Sequence, residues 1–125
     1  MATPLTPNDV FQGISVARSL CAETIASLKD VIFHKLALQK NTDQENRLLA
    51  DAQQQESDYD AILNNLSATT VSTTAVSQAD IDAVNGFLIQ VQNYALADAV
   101  AEGGLTLFQK ALNAADNLVT HATTS

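Results

Sequence analysis

Two histidines, one cysteine and a tight run of carboxylates are the residues of this 125-residue chain with the means to do chemistry. Helical proteins often hold paired metals with Glu-x-x-His motifs on facing helices. The residue three before His34 is Val31, and the residue three before His121 is Leu118, so neither histidine forms that pair. Glu56-x-Asp58-x-Asp60 has the spacing of a calcium-loop start but lacks the turn glycine and the distal glutamate. On a helix alternate residues diverge, which reads the run as a solvated acidic edge. Nucleophilic catalysis has no Gly-x-Ser-x-Gly and no Cys-His arrangement to work with. Gly103-Gly104 makes a turn, not a phosphate cradle. Asp80 and Asp82 fall in a first helical turn, where negative charge suits the helix dipole. The expectation is a non-enzymatic protein with no catalytic residue, no cofactor, no metal site and no evident small-molecule ligand.

The bulk numbers point the same way. Charged residues make up 16% of the chain, below the usual quarter, and polarity comes from Thr, Ser, Asn and Gln instead. Weak like-charge repulsion favours self-association. The net charge is −8 and unevenly spread. Arg18, Lys29, Lys35, Lys40 and Arg47 lie in the first 47 positions, whereas Leu48 to Gln109 holds eight acids and no base. Nucleic-acid binding needs clustered cations, so it is not expected; nor is electrostatic adhesion to an anionic membrane. The acidic half suits a basic partner or the neutral half of a neighbouring copy. A single cysteine, Cys21, excludes an internal disulfide and falls at a core position, as a buried thiol. The first residues carry neither a basic region nor an apolar block, and Ala61 to Ala79 is too rich in Thr, Ser and Asn to span a membrane. The expected location is cytoplasmic, with leaderless export the alternative.

These residues sit on elements that the apolar spacing defines. Thr6 caps, Pro7 fits the first helical position and Asp9 follows three residues after the cap. Val10, Ile14, Ala17, Cys21, Ile25, Leu28, Ile32 and Leu36 then recur with an eleven-residue rhythm, and Phe11, Leu20, Val31, Phe33 and Leu38 widen the stripe. A stripe so wide needs more than one neighbouring helix. The spacing predicts helices at about 7–40, 43–66, 77–101 and 105–121. Between Leu38 and Leu48 no residue is apolar. Either Asn41 stops the helix in a left-handed conformation and Thr42 with Glu45 caps a second one, or the helix runs on unbroken. Ser67 to Ser77 reads as a loop, and Ser77 with Asp80 starts the third helix. Its stripe is Ile81, Val84, Leu88 and Val91, running on to Ala95 and Ala99, with Phe87 alongside. The last helix carries Phe108, Ala111, Ala115, Leu118 and Ala122, with Leu112 and Val119 beside them. Gly13, Gly86 and the alanines from Ala95 to Ala101 suggest close approach of another backbone.

The fold class is therefore all-α, one domain over residues 1–125. Its long amphipathic helices form a helical hairpin or an up-down four-helix bundle, alone or assembled between chains. Val10, Ile14, Ile25, Leu28, Ile32, Leu36, Phe87, Val91 and Phe108 are the candidate interaction residues. The expected partner is a second copy or another helical protein.

Three short stretches carry a resemblance: Asp9-Val10-Phe11-Gln12; Ala22-Glu23-Thr24-Ile25-Ala26 with Phe33 after it; and Ala52-Gln53-Gln54-Gln55. Over about Asp9 to Gln55 the chain resembles the small proteins that build refractile bodies (R-bodies), the coiled proteinaceous ribbons of some bacteria. That family places Glu-x-Pro-Ala before an apolar, Ala-rich helix and a Gln run. Here Ile25 stands where the proline would be, and the acidic second half has no counterpart. The resemblance implies ribbon-like self-assembly and a pH-triggered shape change, with Glu56, Asp58 and Asp60 as trigger candidates. The leading functional expectation is a self-associating structural protein: a filament, ribbon or oligomer subunit. The alternatives are a four-helix bundle that binds another protein (an adaptor, chaperone or immunity-type factor) and the α-helical component of a pore-forming toxin.

Overall fold

A computed structural model describes residues 5–65, 76–93 and 104–123. Within them the chain forms four helices and no strand: α1 Pro7–Ala37, α2 Asp43–Asn65, α3 Gln78–Gln92 and α4 Gly104–Thr123. The all-α class predicted from spacing is what the chain adopts. Two helix starts also match. Thr6 Oγ1 accepts from the Asp9 N–H at 3.1 Å while Asp9 Oδ2 accepts from the Thr6 N–H at 3.0 Å. Ser77 and Asp80 repeat the reciprocal box at 3.2 and 3.1 Å. Each box satisfies two backbone donors that a helix start leaves free.

The junction left open by the sequence is a turn. Leu38 caps α1, and Gln39 takes a left-handed φ of 58°. The Gln39 N–H donates to Leu36 O at 3.0 Å and the Lys40 N–H to Lys35 O at 2.8 Å. Those two bonds make a Schellman motif, the ordinary way of closing a helix C-terminus. The left-handed residue is thus Gln39 and not Asn41. Asn41 makes an Asx turn instead, its Oδ1 accepting from the Asp43 N–H at 2.8 Å. Thr42 Oγ1 accepts from Asn46 Nδ2 at 3.0 Å, and Glu45 Oε2 accepts from Lys35 Nζ at 3.0 Å. Glu45 therefore reaches across the turn to α1. The first helix also stops three residues before the expected Lys40. The third ends at Gln92, capped by Asn93, short of the expected 101. The predicted loop at 67–75 and the alanines at 95–101 lie outside the described residues.

α1 is the axis of the fold, about 46 Å long at 1.5 Å per residue. It packs on α2, α3 and α4; α3 packs on α4; α2 grazes α4; and α2 and α3 do not touch among the described residues. Arg18 pairs with Asp60 and Lys35 with Glu45, so α1 and α2 run antiparallel. His121 meets Asp80, which sets the end of α4 beside the start of α3. A Cβ on Gly13 would lie 3.4 Å from Ile81 and 3.5 Å from Leu118, so α1 and α3 start at the same end of the bundle. The result is an up-down-up-down arrangement in which α1, α3 and α4 form a tight triad and α2 flanks it.

The α4 stripe reads out as predicted: Phe108, Ala111, Leu112, Ala115, Leu118, Val119 and Ala122 are all buried. So are Val10, Ile14, Ala17, Cys21, Ile25 and Leu28 on α1, while Ile32 is half-buried and Leu36 is exposed. Helical phase does not account for that departure, since at 100° per residue Ile32 stands at the same angle as the fully buried Ile14. The cover thins toward the end of α1, where Val31 is the last buried residue. Gly13 sits where side chains of α3 and α4 crowd α1, but side chains and not a backbone make the contact. Gly86 has nothing within 4 Å of a Cβ, so the expected close approach does not occur there.

Candidate interaction surfaces

Of the nine residues predicted to meet a partner, Val10, Ile14, Ile25, Leu28, Val91 and Phe108 are buried in this chain's own core. They bind α-helices, but the helices are their own. Ile32 and Phe87 are half-buried, and Leu36 is exposed. The turn at Gln39 is the reason: it lets one chain cover the seam that an unbroken helix would offer to neighbours.

What is exposed is a set that shares only Leu36 with those nine. Phe33 is 78% exposed, Leu36 57% and Leu38 50%, all at the end of α1. Phe11 near the start of α1 and Ile89 on α3 are exposed too. Phe33 and Leu36 share the solvent face of α1 with Lys29, and Lys40 follows past the turn. The series 29, 33, 36, 40 has steps of 4, 3 and 4, so its helical members stand on one side of α1. Neither lysine makes an ion pair among the described residues.

A second feature lies between α2 and α4, where the two helices splay. A cavity of about 400 Å³ opens there, and no α1 residue lines it. Tyr59, Ile62 and Val119 form an apolar floor, and Asp51, Asp58 and Asp116 stand on the rim without a cation among the lining residues. The floor is held by a bond network. Gln55 Nε2 donates to Leu112 O at 2.9 Å and to the Tyr59 hydroxyl at 2.7 Å, and that hydroxyl donates to Asp116 Oδ1 at 3.4 Å. Burial, with Cys21 and Asp116 nearby, pushes the Tyr59 phenol above its ordinary range, so it stays a neutral donor. Burial first, then Glu56 and Asp116, push the Cys21 thiol up to about 12, so it stays an inert, protonated thiol.

The acidic run does not act as one cluster. Asp60 Oδ1 accepts from Arg18 Nε at 2.6 Å, and that bond raises the pKa of the guanidinium further. Asp58 Oδ1 accepts from Gln54 Nε2 at 2.9 Å. Glu56 precedes both on α2 and is half-buried. Elsewhere, burial works to raise the Asp80 pKa, but bonds from the Ser77 N–H, His121 and the Ser77 hydroxyl outweigh it and the net shift is downward. Among the described residues no three His, Cys, Asp or Glu side chains come together in a way that would hold a metal ion. No helix among them is long and apolar enough to cross a membrane.

The sequence reading missed the 29-33-36-40 stripe and the α2–α4 groove. Leu36 is among the candidate interaction residues on its spacing, whereas Phe33 reads as part of the second row that widens the apolar stripe. The groove was not visible, because it depends on how far α2 leans from α4. The chain matches no protein-family model, no curated protein and no solved structure.

Proposed function

We propose that this protein is a non-catalytic, self-associating helical structural protein, and that it assembles as folded bundles and not through a shared long helix. One observation carries the reading. The chain buries a core of its own and still leaves Phe33 and Leu36 more than half in water and Leu38 half in water, within six residues of one another. Scattered surface apolar residues are ordinary, but an aromatic and two leucines exposed at one helix end are the kind of surface that a partner covers. Low charge density supports contact between copies. The resemblance of Asp9 to Gln55 to ribbon-forming proteins agrees with it.

The test is mass against concentration, by light scattering or sedimentation of the full chain. Growth of the weight-average mass from micromolar to millimolar supports the reading; a monomer throughout refutes it. A second reading draws on the turn at Gln39, which makes the bundle self-contained. In that reading the same patch docks a helix of another protein, and the chain alone stays monomeric.

A further inference from the structure

Two surfaces of this chain complement each other. One is the solvent side of the α1 end, with Phe33 and Leu36 between Lys29 and Lys40. The other is the groove between α2 and α4, with its apolar floor and its rim of Asp51, Asp58 and Asp116. An apolar knob flanked by cations fits an apolar hole flanked by carboxylates, in both shape class and sign. The two are separate patches. The groove has no α1 residue in its lining, and Phe33 and Leu36 stand exposed at the end of α1.

We infer that the α1 stripe of one copy docks into the α2–α4 groove of the next. This deepens the self-association reading above and rests on it. Phe33 enters the groove over Tyr59, Ile62 and Val119, and Lys29 and Lys40 face the rim carboxylates. Stripe and groove are distinct patches of the same molecule, so one stripe-to-groove contact leaves a free groove on one copy and a free stripe on the other. Two copies that exchange both contacts form a two-fold dimer; otherwise the assembly grows head to tail, as a ring if the rotation closes and as an open chain if it does not. The uneven spread of charge takes on a role here. Five of the six bases lie in the first 47 residues, balanced there by five acids, and Leu48 to Gln109 holds eight acids and no base, so the lysines of the stripe come from the part of the chain that holds bases and Asp51 and Asp58 from the part that holds none.

A charge exchange tests this in the full chain. One variant carries Lys29→Glu with Lys40→Glu; the other carries Asp51→Lys with Asp58→Lys. All four positions are exposed, and circular dichroism checks that the helices are retained. Each variant alone should associate at least about tenfold more weakly than the parent, because like charges now face each other across the contact. An equimolar mixture should recover association, since each variant's stripe then meets an oppositely charged groove. Association of the parent should also weaken in salt of about 1 M, where the screening length falls to about 3 Å. If the parent associates but the mixture does not recover, or if either variant alone associates as the parent does, the docking geometry is overturned and self-association stands. If the groove variant alone associates more strongly, general charge neutralisation drives assembly and the geometry is again overturned. If the parent is monomeric at millimolar concentration, self-association fails and this contact with it.

Discussion

Replacing Gln39 by glycine should stabilise the protein, and the sign of that effect tests the hairpin itself. Gln39 holds a φ of 58° at the end of α1, a conformation that costs an L-residue roughly 1–2 kcal/mol and costs glycine almost nothing. Glycine also gives the unfolded chain more freedom, which offsets roughly 0.5–1 kcal/mol. The net gain is about 0.5–1 kcal/mol, or a rise in Tm of about 2–5 °C for a domain of this size. The opposite architecture predicts the opposite sign. In an unbroken helix over 7–66 a glycine at this position would cost about 1 kcal/mol relative to alanine. Gln39→Ala separates the two further: it is neutral or slightly worse in a left-handed turn, and slightly better in a continuous helix. Urea and thermal melts of the parent and both variants at one fixed, low protein concentration provide the measurement. A fall in stability for Gln39→Gly with a rise for Gln39→Ala would refute the turn and every argument built on it.

Gly86→Ala should raise stability by roughly 0.5–1 kcal/mol, since an added Cβ meets nothing within 4 Å and the helical backbone gains the propensity of alanine; an unchanged or lower urea midpoint would contradict this. Lys35→Ala should cost about 1–3 kcal/mol by equilibrium denaturation, because it strands Glu45, whose side chain is only 6% exposed. Phe108→Ala should cost about 3–5 kcal/mol, as Phe108 is fully buried; a cost below 1 kcal/mol would mean that α4 is not packed as described. The lowered pKa of Asp80 predicts an acid-sensitive limb: its contribution is present above the ordinary carboxylate range and is lost as pH falls through the folded value. Asp80→Asn should flatten that limb in melts followed from pH 6 to pH 2.

The sequence was most legible where a local signal and the core agreed. Thr6 with Asp9 and Ser77 with Asp80 announce helix starts, because a capping box is closed within four residues and needs no tertiary help. The α4 stripe was readable for a related reason: one helix on one core has one buried side. The Asn41–Thr42 junction was not readable as a position. A left-handed stop is expected at Gly or Asn, and the chain instead uses Gln39, whose identity carries no such preference. Nor did the spacing show that the α1 seam would lose its cover after Val31, since that depends on how far the neighbouring helices reach along α1. The same limit applies to the candidate interaction residues, six of which are buried in this chain and one of which, Leu36, is exposed. Apolar periodicity marks what is covered, and it does not distinguish cover by the same chain from cover by a partner.

The lopsided packing of α2 has a consequence for how the molecule opens. α1, α3 and α4 hold one another in a closed triangle, while α2 leans on α1, grazes α4 and does not reach α3 among the described residues. Its apolar contribution is thin, with Ala52 and Tyr59 the only hydrophobic side chains among its described residues that are fully buried. Local stability follows buried contact, so the amides of α2 should exchange ahead of those in α1 and α4, which bury many more apolar side chains. The molecule thus has a rigid three-helix body and a strap. Lifting the strap uncovers the α1 face that carries Cys21 and Ile25, so the strap sets how often that face meets water.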